Sequence, residues 1–343
     1  MKHHLNTLFV TTQGAYLFKQ GEAVVVRVEK ENRLRVPLNN LGAIACFGRV
    51  SCSPPLLGAC GQRGIAVSFL TERGRFLAAV NGFTPGNVLL RREQYRRADN
   101  VHAAAEIARA CVVGKLVNYR TVLRRAAREQ AACEASDRLS HAADRIHHAL
   151  RLLDRPTALD VVRGMEGESS ATYFEVFDYL IVAQKQDFSF TKRSRRPPLD
   201  PVNSLLSFLY AMLALDARAA CEAAGLDAAV GFLHRDRPGR PSLALDLMEE
   251  LRPVLADRLA LSLINRKQVN ASGFGVEPTG GVLMSDATRR KVLTGYQKRK
   301  QETVVHPFLN EKITFGLVVH IQARLLARHL RGDLDAYPPF VLK

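Results

Sequence analysis

The apolar residues of this chain change period once, near residues 82–86, and that change restricts the architectures open to it. Before it they come in short runs, at 5–10, 15–18, 23–28, 34–37 and 44–47. Turn signals separate the runs: Gln13-Gly14, Gln20-Gly21, Glu31-Asn32 and Asn39-Asn40. Runs of this length, with β-branched stretches such as Val24-Val25-Val26, predict strands. Ser53 followed by Pro54-Pro55 predicts one helix, ending near Gly61 or Gly64. Residues 65–70 and 75–80 predict a strand pair around Glu72-Arg73-Gly74.

Beyond residue 87 the period is helical. Residues 93–128 are nearly free of helix breakers, and Ala104, Ile107, Ala108, Cys111, Leu116, Tyr119 and Leu123 recur at three- and four-residue steps. Further helices are expected at 136–153 and from 157 to about 183, with an interruption at Arg163-Gly164-Met165-Glu166-Gly167. Others are expected at 203–224, 242–265 with a kink at Pro253, 285–301 and 316–331. The 203–224 segment is apolar nearly all round, which places it at the centre of a helical core. The expected fold class is therefore α+β. A small, mostly-β N-terminal domain with one helix (1–86) precedes a larger all-α domain (87–343). No leader and no apolar span of about 20 residues is apparent, so a soluble, cytoplasmic protein without membrane contact is expected. The six cysteines form no C-x-x-C pair and are expected to be reduced, and His3-His4 is too short for a metal site.

Charge narrows the function. The 343 residues carry 49 Lys+Arg against 33 Asp+Glu, a net charge of +16. Such an excess suits a polyanionic partner, through phosphate contacts and counterion release. Two arginine-rich loops stand out, one with Arg193, Arg195 and Arg196 and the other with Arg235, Arg237 and Arg240. The second lies in the most informative stretch, 231–253. There an apolar run stops at His234, the basic loop follows, and Ser242 is placed to cap a helix carrying Asp246 and Glu249. Three residues apart, the two acids share a helix face. Glu166, flanked by Gly164 and Gly167, supplies a third carboxylate. Taken singly, Glu166 reads first as an acid near a helix N-terminus, the Asp246/Glu249 pair as a solvated face, and His234 as a turn residue. Together, one histidine and several carboxylates suit Mg²⁺ or Mn²⁺ better than structural zinc. A hydrated cation beside arginine loops suits phosphoryl transfer.

At these residues the whole chain resembles the CRISPR-associated integrase, the metal-dependent DNA endonuclease of spacer acquisition. The resemblance rests on Arg163-Gly-Met-Glu166-Gly-Glu-Ser-Ser-Ala171-Thr-Tyr173-Phe174, Arg193-Ser-Arg195-Arg196-Pro-Pro-Leu-Asp-Pro-Val-Asn203, Gly231-Phe-Leu-His234, and Leu243-Ala-Leu-Asp246-Leu-Met-Glu249-Glu-Leu-Arg252-Pro253. The tail Tyr337-Pro-Pro-Phe340 is similar to the subtype I-C branch. The resemblance implies Glu166, His234 and Glu249 as ligands of Mg²⁺ or Mn²⁺, with Asp246 as a second acid beside the metal. Many members carry Asp where this chain has Glu249, which leaves the choice between Asp246 and Glu249 open. It further implies a homodimer and assembly with the small second universal adaptation protein. The implied substrate is a short duplex with single-stranded ends, whose 3′-OH groups are joined to the CRISPR repeat by transesterification. Tyr173, about two helical turns from Glu166, is a candidate to line the site, and equally a core tyrosine. Two rival readings remain: a non-catalytic basic DNA-binding scaffold, and a metal-dependent phosphohydrolase of small substrates.

Overall fold

The short apolar runs of the N-terminal region fold as strands. In the computed structural model, which describes residues 6–80, 82, 88–130 and 133–342, they are β1 (Asn6–Val10), β2 (Tyr16–Gln20), β3 (Ala23–Val28), β4 (Glu31–Pro37), β5 (Leu41–Phe47), β6 (Ser51–Cys52), β7 (Ala66–Leu70) and β8 (Phe76–Val80). One sheet has the order β1-β5-β7-β8 and is parallel except for β7–β8. The other has the order β4-β3-β2-β6 and is antiparallel except for β2–β6. Helix α1 (Pro54–Arg63) forms as its ends dictate. Ser53 Oγ accepts the Leu56 N–H at 3.4 Å, Pro54 stands where no N–H is needed, and Gly64 ends the helix at φ 63°. Leu17, Val24 and Val26 of one sheet share a buried core with Ile44, Cys46 and Val67 of the other and with Leu56 and Cys60 of α1. All six cysteines are free thiols, and only Cys133 is exposed.

The chain divides into two compact units, Met1–Pro85 and Gly86–Lys343. The expected boundary after residue 86 falls at residues outside the described ones, as do His3 and His4. In the second unit α2 (Val88–Asp99) and α3 (Val101–Glu129) stand where one long helix was expected. Asn100 separates them: its Oδ1 accepts the His102 and Ala103 N–H groups, both at 3.0 Å, and so starts α3 afresh. Then follow α4 (Glu134–Leu152), α5 (Leu159–Glu175), α6 (Pro201–Ala223), α7 (Ser242–Glu249), α8 (Arg258–Asn265), α9 (Asp286–Gln301) and α10 (Phe315–Leu330). The expectation of an all-α unit is corrected by two hairpins, β9 (Phe274–Val276) with β10 (Val282–Met284) and β11 (Thr303–His306) with β12 (Glu311–Thr314). Strands of three or four residues are too short to set a readable alternation.

Helix α6 is the expected core helix. Its length and composition alone would let it cross a membrane, yet Leu205, Leu206, Leu209 and Met212 are buried and it packs against α7, α8 and α10. The kink expected at Pro253 takes the form of a π-helical turn, Arg252–Asp257, since proline cannot donate into the α-helical ladder. The C-terminal tail is clamped behind this turn. Glu250 accepts from Tyr337 Oη and the Phe340 N–H, both at 2.6 Å, and from Gln322 Nε2 at 2.9 Å. Asn118 Nδ2 donates to the Glu250 and Phe340 carbonyls at 2.7 and 2.9 Å, and its Oδ1 accepts from the Leu342 N–H at 2.8 Å.

The π-turn also carries a buried acid with a legible pH signature. Asp257 is fully buried and its Oδ1 accepts from Tyr210 Oη at 2.5 Å. Burial pushes its carboxyl up from 3.8 to about 6, against the opposing pull of the Tyr210 hydroxyl and of Arg252 and Arg193. Between those values the folded protein keeps a proton that the unfolded chain has released. The Asp257 contribution to stability is therefore full below about pH 4 and is lost as pH rises through about 6. Urea unfolding of wild type and Asp257→Asn between those limits should show wild type losing up to about 1.4 kcal/mol per pH unit relative to the variant. Parallel pH profiles would contradict this assignment.

Candidate active site

The carboxylates and the histidine singled out in the sequence converge between α3, α5 and α7. Glu166 lies on α5, Asp246 and Glu249 on α7, and His234 in the loop that leads into α7. The loop approaches α7 closely because residue 231 is glycine: a Cβ there would lie 2.8 Å from Asp246 Oδ2 and from Ser242. Asp246 is fully buried and organises the loop. Its Oδ2 accepts the N–H groups of Phe232 and Leu233 at 2.6 and 3.0 Å, and its Oδ1 accepts the His234 N–H at 3.0 Å. The same Oδ1 lies 2.7 Å from His234 Nδ1. A proton on Nδ1 shared with a carboxylate leaves Nε2 as the lone-pair nitrogen. That Nε2 stands 3.9 Å from Glu249 Oε1.

Two cations missed in the sequence sit among these acids. Lys115 of α3 contacts Glu166 Oε1, and its Nζ is 2.7 Å from Glu249 Oε2. Arg252 NH1 is 2.9 Å from Glu249 Oε1. Burial opposes the Glu249 charge, but the Arg252 guanidinium, the Lys115 ammonium and His234 outweigh it and hold the carboxyl at about 2. Burial likewise opposes the Lys115 charge, yet Glu249, Tyr119 and Glu166 hold its pKa above the ordinary value. Ser170 Oγ donates to Glu166 Oε1 at 2.9 Å, one helical turn further along α5. The signal for Lys115 was present in the sequence. It stands four residues from both Cys111 and Tyr119, on the apolar stripe of α3, where a lysine has to find a buried partner.

Glu166 and His234 open onto a cleft of about 560 Å³ that Arg163, Arg235, Arg237 and Arg240 also line. The rim is cross-tied. Asp160 Oδ1 accepts from Arg163 at 3.0 Å and from Arg235 at 3.3 Å, and Arg163 Nε donates to the Leu233 carbonyl at 2.7 Å. Arg195 and Arg196 are exposed on the other basic loop.

Several expectations are corrected. No interruption occurs at 163–167: α5 runs unbroken through Gly164 and Gly167, which have open space beside them. Each glycine costs a helix about 1 kcal/mol, and packing of α5 on α3 and α4 overrides that cost. Ser242 is the first residue of α7 and no cap; its hydroxyl donates to the Arg235 carbonyl at 3.3 Å instead. Tyr173 does not line a DNA surface. It is fully buried, stacked on Tyr119 with ring centres 3.8 Å apart. Arg193 does not face solvent as a strand contact. Its guanidinium donates to Asn203 Oδ1 at 2.6 Å and Ser207 Oγ at 3.1 Å, and so anchors the start of α6.

The donors fit a hard divalent cation in kind: one imidazole nitrogen and two carboxylates. The contact of both carboxylates with an ammonium marks the space between them as one that favours positive charge. Among the described residues, no three histidine, cysteine, aspartate or glutamate side chains enclose a metal-sized position, and Lys115 Nζ stands against both Glu166 and Glu249.

The family model described as CRISPR associated protein Cas1 matches residues 8–298. A CRISPR-associated endonuclease Cas1 of Chlorobaculum tepidum is 53% identical over 341 residues, covering 99% of this chain and 99% of the relative. Among solved structures, a Cas1 protein from Thermotoga maritima superposes with a TM-score of 0.81 at 23% identity, over 98% of this chain and 99% of that one. A chain of a Cas6-RT-Cas1–Cas2 complex also gives 0.81 at 23% identity, covering 99% of this chain and 36% of that chain.

Proposed function

The chain belongs to the Cas1 family of CRISPR-associated proteins, and we propose from that premise that it is a metal-dependent DNA endonuclease and integrase of spacer acquisition. The observation that carries the reading is the convergence of Glu166, His234 and Glu249 beside a cleft rimmed by arginines. A small-molecule phosphohydrolase has no use for that rim or for a charge of +16. A DNA-binding scaffold has no use for a buried acid that orients a histidine. A second basic groove supports a long polyanionic ligand; Arg120, Arg124 and Arg128 line it at four-residue steps on α3, with Ser136 and Ser140.

In this mechanism Glu166, His234 Nε2 and Glu249 would hold Mg²⁺ or Mn²⁺. When bound, such a cation would supply Lewis-acid stabilisation of the phosphodiester as an incoming 3′-hydroxyl forms the new P–O bond and the old P–O bond breaks, its oxygen leaving as a 3′-hydroxyl. Asp246, with both oxygens engaged by backbone N–H groups and His234 Nδ1, would fix the His234 tautomer and ring orientation. Arg235, Arg237 and Arg240 hold the strands in line, a positioning contribution. With water as the attacking group the same residues serve hydrolysis. The substrate is a short duplex with single-stranded ends, joined to the CRISPR repeat. The protein acts as a cytoplasmic homodimer with Cas2, the small second adaptation protein, in a subtype I-C system.

The test is transfer of a labelled duplex with 3′ overhangs into a plasmid carrying the repeat, with and without Cas2. Joined product is expected in Mg²⁺ or Mn²⁺ and none in EDTA, with affinity for the DNA falling steeply as salt is raised. Absence of product in both metals, with Cas2 present, would reject the integrase reading.

A further inference from the structure

Lys115 has no role in the function proposed above, although it lies at the centre of the site. It is 2% exposed and projects from the middle of α3, with Nζ 5.3 Å from the centre of the Tyr119 ring. Its ammonium contacts a carboxylate on α5, Glu166, and one on α7, Glu249. Those acids are 83 positions apart in the sequence (249 − 166) and come from different helices. Two carboxylates brought together repel one another, and Glu249, which is buried, does not tolerate burial without a partner. Arg252 NH1 pairs with Glu249 Oε1, and Ser170 offers Glu166 a neutral hydroxyl. Lys115 is thus the charge that links the two acids across α3, α5 and α7.

We propose that Lys115 is a positioning residue that assembles the Glu166–Glu249 pair before a divalent cation enters, and that its ammonium then competes with that cation for the pair. This rests on the reading of the cleft as a divalent-cation site. Three consequences follow from the geometry. Without the ammonium the metal-free protein holds a buried carboxylate, Glu249, beside a half-buried one, Glu166, with less positive charge between them, and it is less stable. The same loss leaves the pair more attractive to an external cation. An arginine at the position keeps the charge and so keeps the competition.

The discriminating measurement is Mn²⁺ binding, followed by the electron paramagnetic resonance of free Mn²⁺, on the full chain as wild type, Lys115→Met and Lys115→Arg, with thermal melts in EDTA and in Mn²⁺. Lys115→Met should melt lower than wild type in EDTA, bind Mn²⁺ about tenfold or more tightly, a change of about 1.4 kcal/mol, and recover most of its lost melting temperature when Mn²⁺ is added. Lys115→Arg should bind Mn²⁺ as wild type does. A folded Lys115→Met that binds Mn²⁺ no more tightly than wild type overturns the competition. If Lys115→Met is unfolded in EDTA, folding on addition of Mn²⁺ supports the proposal, and failure to fold with Mn²⁺ overturns it. If wild type itself binds no Mn²⁺ in the cleft, the cation-site reading and the competition fall together. Assembly of the pair is then decided by a double-mutant cycle of Lys115→Met with Glu249→Gln in EDTA. Additive losses overturn it, and a coupled loss sustains it.

Discussion

His234→Ala should lower metal-dependent strand transfer by roughly 10²–10³-fold or more while leaving the protein folded. The ring sits at the mouth of the cleft with 22% of its side chain exposed, so its removal opens no buried cavity. What is lost is an imidazole nitrogen beside Glu249 Oε1, together with one of the four hydrogen bonds that Asp246 accepts. The three backbone N–H groups still have their acceptor, and the loop should keep its course. Product formed on a labelled duplex, normalised to protein whose thermal melt lies within a few degrees of wild type, decides the matter. Retention of more than about a tenth of the wild-type rate would move the chemistry away from this cleft.

Asp246→Ala should behave in the opposite way and register first as instability, at a cost of roughly 3–5 kcal/mol. The carboxylate is fully buried. Its removal leaves the N–H groups of Phe232, Leu233 and His234 without an acceptor and frees the His234 ring to turn. Leaving buried donors unmet costs far more than the net value of the bonds themselves. Urea unfolding should show the midpoint shift, and strand transfer should fall with it because the histidine is no longer held. Asp246→Asn keeps one carbonyl oxygen and should lie between alanine and wild type in stability. An Asp246→Ala protein as stable as wild type would show that the loop is held by something other than this carboxylate.

The contrast between these two variants marks how far the site could be read from sequence. His234, Asp246 and Glu249 were legible because they lie within sixteen residues of one another and share a loop and a helix (249 − 234 + 1 = 16). Local geometry ties such residues together. The assignment of Asp246 as the orienting acid was not legible. At i and i+3 the two acids look alike in sequence, and only the approach of the 231–234 backbone, permitted by Gly231, separates them. The glycines flanking Glu166 predict a break that the structure does not have, since α5 is continuous. The sequence leaves Tyr173 open between site and core and places Arg193 with the basic loops, because residue type reveals what a side chain can do and not which way its helix or loop turns it; the structure puts Tyr173 in the core and Arg193 on Asn203.

What the sequence determined by itself is the local layer: strands before residue 80, helices beyond 88, the cap at Ser53, and the break at Pro253. These follow from backbone preferences and apolar periods that act over a few residues. Only the tertiary structure decided that Lys115 meets Glu166 and Glu249 across separations of 51 and 134 positions (166 − 115 and 249 − 115). It likewise decided that Tyr173 stacks in the core and that two hairpins interrupt the helices. The physical reason is that a helical period fixes the face on which a residue stands, whereas the partner that face meets is set by how whole helices pack.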